Sequence, residues 1–559
     1  MKRVCLLVVC LSLVWILSGN RQPLPDKMRP HSRKPKIKHK IIPPRKNIFL
    51  VQKKKENPRV TLNRMVVEAA KDIVRFHSDD AQYIRYLTRY NESKEDLLYY
   101  LPLVKLWPNF LSNQLDLTPT QDIEILNEDG TQNNFLQYTL YRIDIRDYGW
   151  KTQTFENLVN VEPFFHEEKI VKREIVEDYY TKKGRKKKRT KLIEKVVIQR
   201  ADYLDATVKL KNKGEEILAI DFLERHTHSD VPIVRFDWFF YQTVIQSRGS
   251  DENPRYYQFL GIKDRKDFEK LVGYDKDVAD KFQTPLFEAV EHSGVAQQPR
   301  RIKIASKIGG YWFETFDNEL ATGFNNPLTV IDDQFKFLAN EVFAHLSNGL
   351  WGMVANNANG TLQNSVPDFI GHDTTTSSNN GKIEVPLGCL RCHKQSGLQD
   401  IKNPYFRTLF KRPLVLSTSF FKQLKEFKQN YLTPYERRFE ISRMLHNDSV
   451  YEVSEISGQQ LSKLVGFYAQ KYQDQPVDLA IMSREFGVSK TKLSSSLEEY
   501  LRNTGSIDPI FGQFFHKTKG VPRDQFNERF ALGMFMTRGE IPVDFVKPKN
   551  GRFLKTRKK

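Results

Sequence analysis

Five consecutive residues, Cys389-Leu390-Arg391-Cys392-His393, combine two thiols and an imidazole in the spacing C-x-x-C-H. Two thiols three positions apart reach one edge of a flat macrocycle from a single turn of chain. The imidazole that follows folds under the ring toward a central metal. That arrangement meets the requirement for a c-type haem: each sulfur adds across a vinyl group, and the histidine becomes the proximal iron ligand. With four cysteines and twelve histidines in 559 residues, a chance match is expected about once per thousand sequences of this composition. The other readings of C-x-x-C are a structural disulfide, a thioredoxin-like redox pair and half of a zinc site. A thioredoxin-like pair belongs at a strand-to-helix junction early in a βαβ unit, and zinc needs further ligands from elsewhere. Neither context is visible in the sequence around 389–393.

The chain opens with Lys2 and Arg3, an apolar run from Val4 to Leu17, and then Ser18 and Gly19. The run falls short of the ~20 apolar residues of a membrane span, so residues 1–19 read as a secretory signal peptide. Leu17 makes a poor minus-three residue for cleavage, which leaves an uncleaved anchor as the alternative. Cys5 and Cys10 fall in this leader, so Cys389 and Cys392 would be the cysteines of the mature chain. Export and haem attachment agree, because haem is joined to C-x-x-C-H outside the bacterial cytoplasm. The expected location is therefore periplasmic or otherwise exported, with anchoring by the N-terminal segment as the variant.

Residues 20–59 are rich in proline, lysine and arginine and bury too little apolar area to fold alone; they read as a disordered basic linker. A second basic cluster, residues 182–189, separates two β-like runs and reads as the tip of a long hairpin. The net charge is +20 and the pI about 9.4, with a third basic concentration in the tail, residues 541–559. Such a charge attracts an acidic redox partner protein or an anionic envelope surface. Nucleic acid is not indicated, because no aromatic residues interleave the basic clusters.

At about 100–200 residues per domain, this length holds two to four domains. Apolar spacing over 60–165 is mainly helical, with a strand expected at 138–145. Residues 166–380 mix strands and helices and include the basic hairpin; Ile302 to Lys307 and Tyr311 to Glu314 suggest paired strands around Gly309-Gly310. After the motif, stretches at 420–427, 436–445, 461–472, 493–501 and 524–534 have one apolar face each. The expected fold class is α+β: a helical N-terminal region, a mixed β-rich middle, and a predominantly α-helical haem c region over 381–540.

Several segments, taken in order, resemble a known family: Tyr141-Arg142-Ile143-Asp144-Ile145-Arg146-Asp147-Tyr148-Gly149-Trp150, then Arg235-Phe236-Asp237-Trp238, Gly310-Tyr311-Trp312, Leu346-Ser347-Asn348-Gly349-Leu350-Trp351-Gly352, and Cys389 to His393. The family is that of large exported bacterial cytochrome c domain-containing proteins, most without an assigned reaction. The resemblance implies one haem c per chain, iron, electron transfer and a periplasmic setting. It carries Cys389 and Cys392 over as thioether attachment points and His393 as axial ligand. The chain departs from the family's pattern at the long basic hairpin between about residues 168 and 200, which looks like an insertion.

The ligand on the far side of the iron separates an electron carrier from a catalyst. Met444, downstream on a helical segment, is the first choice by analogy with small cytochromes c; His446, Met353, His345 and His372 compete. Three functions follow: an exported c-type cytochrome transferring electrons, a haem-dependent oxidoreductase or peroxidase with an open iron position, and an envelope binding or scaffold protein with a structural or sensory haem. Electron transfer is expected ahead of catalysis, because no distal His, Arg and carboxylate stand at a recognisable spacing.

Overall fold

The structure, a computed structural model, describes residues 58–127, 130–133, 136–160, 165–180, 186–200, 209–212, 215–244, 255–282, 286–290, 296, 298–327, 335–372, 381–393, 433–516 and 520–538. The leader, the linker, residues 182–185 of the basic cluster, the expected helix at 420–427 and the basic tail lie outside them. The fold mixes α-helices with β-sheets.

Helix α1 (Pro58–Ile73) buries Met65, Val66, Ala69, Ala70 and Ile73, a stripe at helical spacing. It lies over a small sheet that includes β1 (Ile84–Thr88), β2 (Gln121–Asp122) and β3 (Leu140–Asp144). β3 is the strand expected at 138–145, while β1 and β2 sit within the stretch whose spacing reads as mainly helical. β1 escapes a period-two reading because all five of its residues are buried, Arg85 included. Arg85 is accommodated by Glu156, at 2.9 Å, and by the carbonyls of Gln82 and Ile84.

Strands β4 (Phe165–Tyr180) and β5 (Lys186–Arg200) form the long antiparallel hairpin. Lys186 to Arg189 fall within the ladder, where the register sets Glu174, Glu177 and Asp178 opposite Lys191, Arg189 and Lys188. A shorter hairpin, β6 (Lys209–Asn212) with β7 (Glu215–Leu218), leads into α2 (Ala219–Thr227), which packs on α1. Next, β8 (Ile233–Arg235) completes the first sheet in the order β2-β3-β1-β8, pairing parallel to β1, and runs straight into α3 (Phe236–Val244).

After α4 (Arg255–Leu260) comes a six-stranded antiparallel meander: β9 (Leu286–Val290), β10 (Arg300–Lys307), β11 (Gly310–Phe316), β12 (Ala339–His345), β13 (Trp351–Asn357) and β14 (Leu362–Gln363). The expected pairing around Gly309-Gly310 is present, with Lys307 opposite Gly310. Both glycines have positive φ, +76° and +148°, and a Cβ on Gly310 would collide with the His345 ring. All seven residues of β12 are buried, since covering elements press on both of its faces.

The described chain then reaches α5 (Leu387–Cys392) and, later, α6 (Thr433–Ser454), α7 (Gly458–Gln473), α8 (Leu479–Glu485), α9 (Lys490–Thr504), α10 (Arg523–Glu528) and α11 (Phe530–Arg538). The start of α7 is a capping box: the Ser457 hydroxyl accepts from the Gln460 N–H, and the Gln460 side chain accepts from the Ser457 N–H. Its buried face, Leu461, Leu464, Val465, Tyr468, Ala469 and Tyr472, repeats every three or four residues and packs against α5. Fully removing each such leucine or valine from water contributes about 1.5–3 kcal/mol. One large core draws residues from Leu87 through β12, β13 and α5 to Met536. Among the described residues, no helix is long and apolar enough to cross a membrane.

Candidate functional site

Helix α5 is a turn and a half long and carries the C-x-x-C-H residues at its end. Its first turn starts at Pro386, whose carbonyl accepts from the Leu390 N–H at 3.0 Å. Gly388 lies tight on the preceding chain, where a Cβ would collide with Ile383. His393 forms the C-cap with ψ of 52°, and its N–H donates to the Cys389 carbonyl at 2.9 Å, so the chain leaves the helix at the imidazole. Cys389 and Cys392, three apart on one helix, share a side. Both are thiols rather than a disulfide; Cys389 is buried and Cys392 half-buried.

The Cys389 thiol sits in a polar but closed environment. Burial pushes its pKa well up, and the negative charge of Glu341 adds to the shift. Glu341 is held by Arg300, whose Nη2 donates to its Oε2 at 2.5 Å. Burial pushes the hydroxyls of Tyr256 and Tyr257 on α4 up, and the neighbouring Cys389 adds to the rise. They accept the Met353 and Ala355 N–H groups of β13 at 3.1 and 3.2 Å, and the Tyr257 O–H donates to the Gln363 carbonyl.

The His393 ring lies 4.4 Å from that of Phe343, centroid to centroid. From Phe343 a run of rings continues into the core: Trp351 at 6.2 Å, and beyond it His345, stacked on the indole at 4.2 Å, and His446 at 6.2 Å. His345 Nδ1 accepts from the Tyr311 N–H at 3.0 Å, and its Nε2 faces the Ser442 carbonyl at 3.1 Å. His446 Nδ1 accepts from the Trp351 N–H at 3.3 Å. Burial pushes both imidazoles down, His345 to about 4 and His446 to about 3, so both are neutral at pH 7.

The expected site residues separate here. Cys389, Cys392 and His393 are together, with His345, His446 and Met353 buried in the same core region. His372 is exposed. Met444, expected as the distal ligand, is 62 % exposed on α6. The reason is helical phase: α6 turns Phe439, Ser442, His446, Val450 and Val453 inward, and a residue two positions from His446 lies about 200° round the helix. Met444 is therefore not gathered to the motif. Among the described residues, no group of three or more His, Cys, Asp and Glu is arranged to hold a metal ion.

The chain has no match among known protein families, curated proteins or solved structures. What can be said of the site thus rests on its own chemistry. The donor set fits a c-type haem: two thiols on one helical turn, not joined to each other, and an imidazole where the helix ends. Residues 394–432, which follow directly, lie outside the described residues.

Sequence reasoning missed the buried ion pairs. Arg300 with Asp317 and Glu341, and Arg235 with Asp237 and Glu485, are all buried. A signal was present in Val231 to Phe240, where Arg235 and Asp237 interrupt an otherwise apolar run that ends a buried strand and starts a buried helix. Charges in such a run need partners.

Proposed function

We propose that the chain is an exported c-type cytochrome that carries one covalent haem and passes electrons to a partner protein. The observation that carries this reading is the pair of unjoined thiols, Cys389 and Cys392, on one helical turn that ends at His393. Cys389 and Cys392 would hold the porphyrin through thioethers, and His393 would be the proximal iron ligand. When bound, the haem supplies a one-electron redox couple. Phe343 packs against the His393 ring and fixes its orientation, while Leu387 and Leu390 keep water from the helix that bears the thiols. In this reading residues 381–540 are the haem c region, set against a helical N-terminal region and a β-rich middle. The likeness to exported cytochrome c domain-containing proteins and the periplasmic setting belong to the same proposal. The basic charge would serve docking to an acidic redox partner through a small, short-lived interface.

Haem staining after denaturing electrophoresis tests the proposal. The full-length exported protein stains, and Cys389→Ala with Cys392→Ala abolishes the stain; persistence of the stain in the double variant refutes covalent attachment at these residues.

One observation favours a second reading, a haem that is structural. Cys389 and Leu390 belong to the same core as Leu87, Trp238 and Met536, so the motif has no core of its own. A double cysteine variant that unfolds at a much lower temperature than the loaded protein supports that reading, and an unchanged melting temperature excludes it.

A further inference from the structure

The turn between β10 and β11 lies beside the start of α6, and the two meet at Tyr311. Lys307 ends β10, Ile308 and Gly309 make the turn, and Gly310 returns the chain opposite Lys307. Ile308 is 86 % exposed, and a Cβ on Gly309 would touch nothing, so the turn stands clear of its neighbours. The Lys307 ammonium donates to the Ile308 carbonyl at 2.8 Å. Tyr311 and Lys307 are half-buried. On α6, Arg437 is exposed and Arg438 half-buried.

The charge of this face is mainly of one sign. Burial lowers Lys307 to about 8, which leaves it cationic at pH 7. Burial lowers Arg438 as well, and the Tyr311 hydroxyl pulls it back up. Burial raises Tyr311, and the charges of Arg438 and Arg437 work against that rise. Among the described residues, no carboxylate acts on Lys307, Arg438 or Tyr311. Glu440, the acid three positions past Arg437, is exposed and enters none of the described ion pairs. Three cations thus stand beside one half-exposed tyrosine and one exposed isoleucine, against a single described acid.

From Tyr311 a run of rings leads back to the motif. Phe313 follows at 6.3 Å on the same face of β11, Phe343 stands opposite Phe313 on β12, and His393 lies 4.4 Å from Phe343. An apolar centre with a charged rim suits protein docking, and the interfaces of electron-transfer pairs are small, below about 1,200 Å². Two of the three cations are half-buried, so a partner meets them by closing over the turn; a flat lipid surface would favour projecting charges. We propose that this face, Ile308 and Tyr311 with Lys307, Arg437 and Arg438, docks the acidic surface of a one-electron carrier protein. The electron it would pass rests on the haem reading; the docking does not.

Titration calorimetry on the full chain at pH 7 decides it, with a plant-type two-iron ferredoxin, an acidic one-electron carrier, as the probe. Saturable binding is expected in about 20 mM salt, weakening as salt rises. Arg437→Glu and Ile308→Glu change exposed positions, so the fold survives both, and each should weaken binding about 3- to 10-fold. On the basic hairpin, Lys187→Glu with Lys188→Glu together should cost less than either single change. If the wild-type chain binds the ferredoxin yet takes no haem stain, the cytochrome reading fails and the docking stands. No binding, wild-type affinity in both single variants, or a larger loss in the hairpin pair overturns the proposal. So does tighter Arg437-dependent binding to phosphatidylglycerol vesicles than to the ferredoxin.

Discussion

Two buried arginines, Arg300 and Arg523, each stand beside acidic residues, yet one network is closed and the other open. Arg300 Nε donates to Asp317 Oδ1 at 2.7 Å, and its Nη2 reaches Asp317 Oδ2, Thr315 Oγ1 and Glu341 Oε2 at 2.8, 3.0 and 2.5 Å. Thr315 in turn donates to Asp317 and accepts from the Glu341 N–H. Arg523 makes one described bond, to Glu485, and leaves Nε unmet. The difference follows from the elements. Arg300, Thr315, Asp317 and Glu341 lie on or next to the paired strands β10, β11 and β12, whose ladder fixes their spacing. Arg235, Glu485 and Arg523 come from a strand end and two helix segments far apart in sequence, where no ladder sets the gap between them. A sheet can close a polar network; a junction of helices leaves room in one.

Breaking each network is the strongest test of that contrast. Asp317→Asn strips the closed network of a charge and leaves Arg300 under-compensated, at a cost of about 3–5 kcal/mol in urea unfolding. Glu485→Gln should cost about 1–3 kcal/mol, because water can enter beside Arg523. Equal losses would remove the distinction between closed and open.

The buried histidines offer a second, smaller test. Unfolded, each has a pKa near 6.5, whereas His345 is pushed down to about 4 and His446 to about 3 in the fold. Their contribution is fully present above about pH 7 and is lost as pH falls through 6.5 toward 4, where the unfolded chain takes up protons that the folded one refuses. His446→Phe should therefore flatten the loss of stability between pH 7 and pH 4.5, by about 3 kcal/mol. Urea midpoints at the two pH values read it, and a wild-type pH slope in the variant would contradict it.

The smallest expected effect concerns α7, which packs against α5. Ser457→Ala removes half of its capping box and should cost about 1 kcal/mol in thermal unfolding.

Local chemistry was legible in the chain. The C-x-x-C-H spacing, the turn at Gly309-Gly310 and the helical stripes of α6, α7 and α9 all depend on residues within a few positions of each other. Long-range closure was not. β1 pairs parallel to β8, with Tyr86 opposite Ile233, and nothing near either strand announces the other. The same holds for Arg300 and Glu341, forty-one positions apart, whose partnership exists only once the meander is folded. Met444 shows the limit in the other direction: distance along the chain suggested a ligand, and the phase of one helix turned it to solvent.

The depth of Cys389 sets an order in time. A thiol that is buried and held protonated is a slow nucleophile, and its exit closes once α5 seats against α7 and β12. If that sulfur carries haem as proposed, attachment would have to come before the core closes, while the chain is still open. The rate of core closure would then be the deadline for loading.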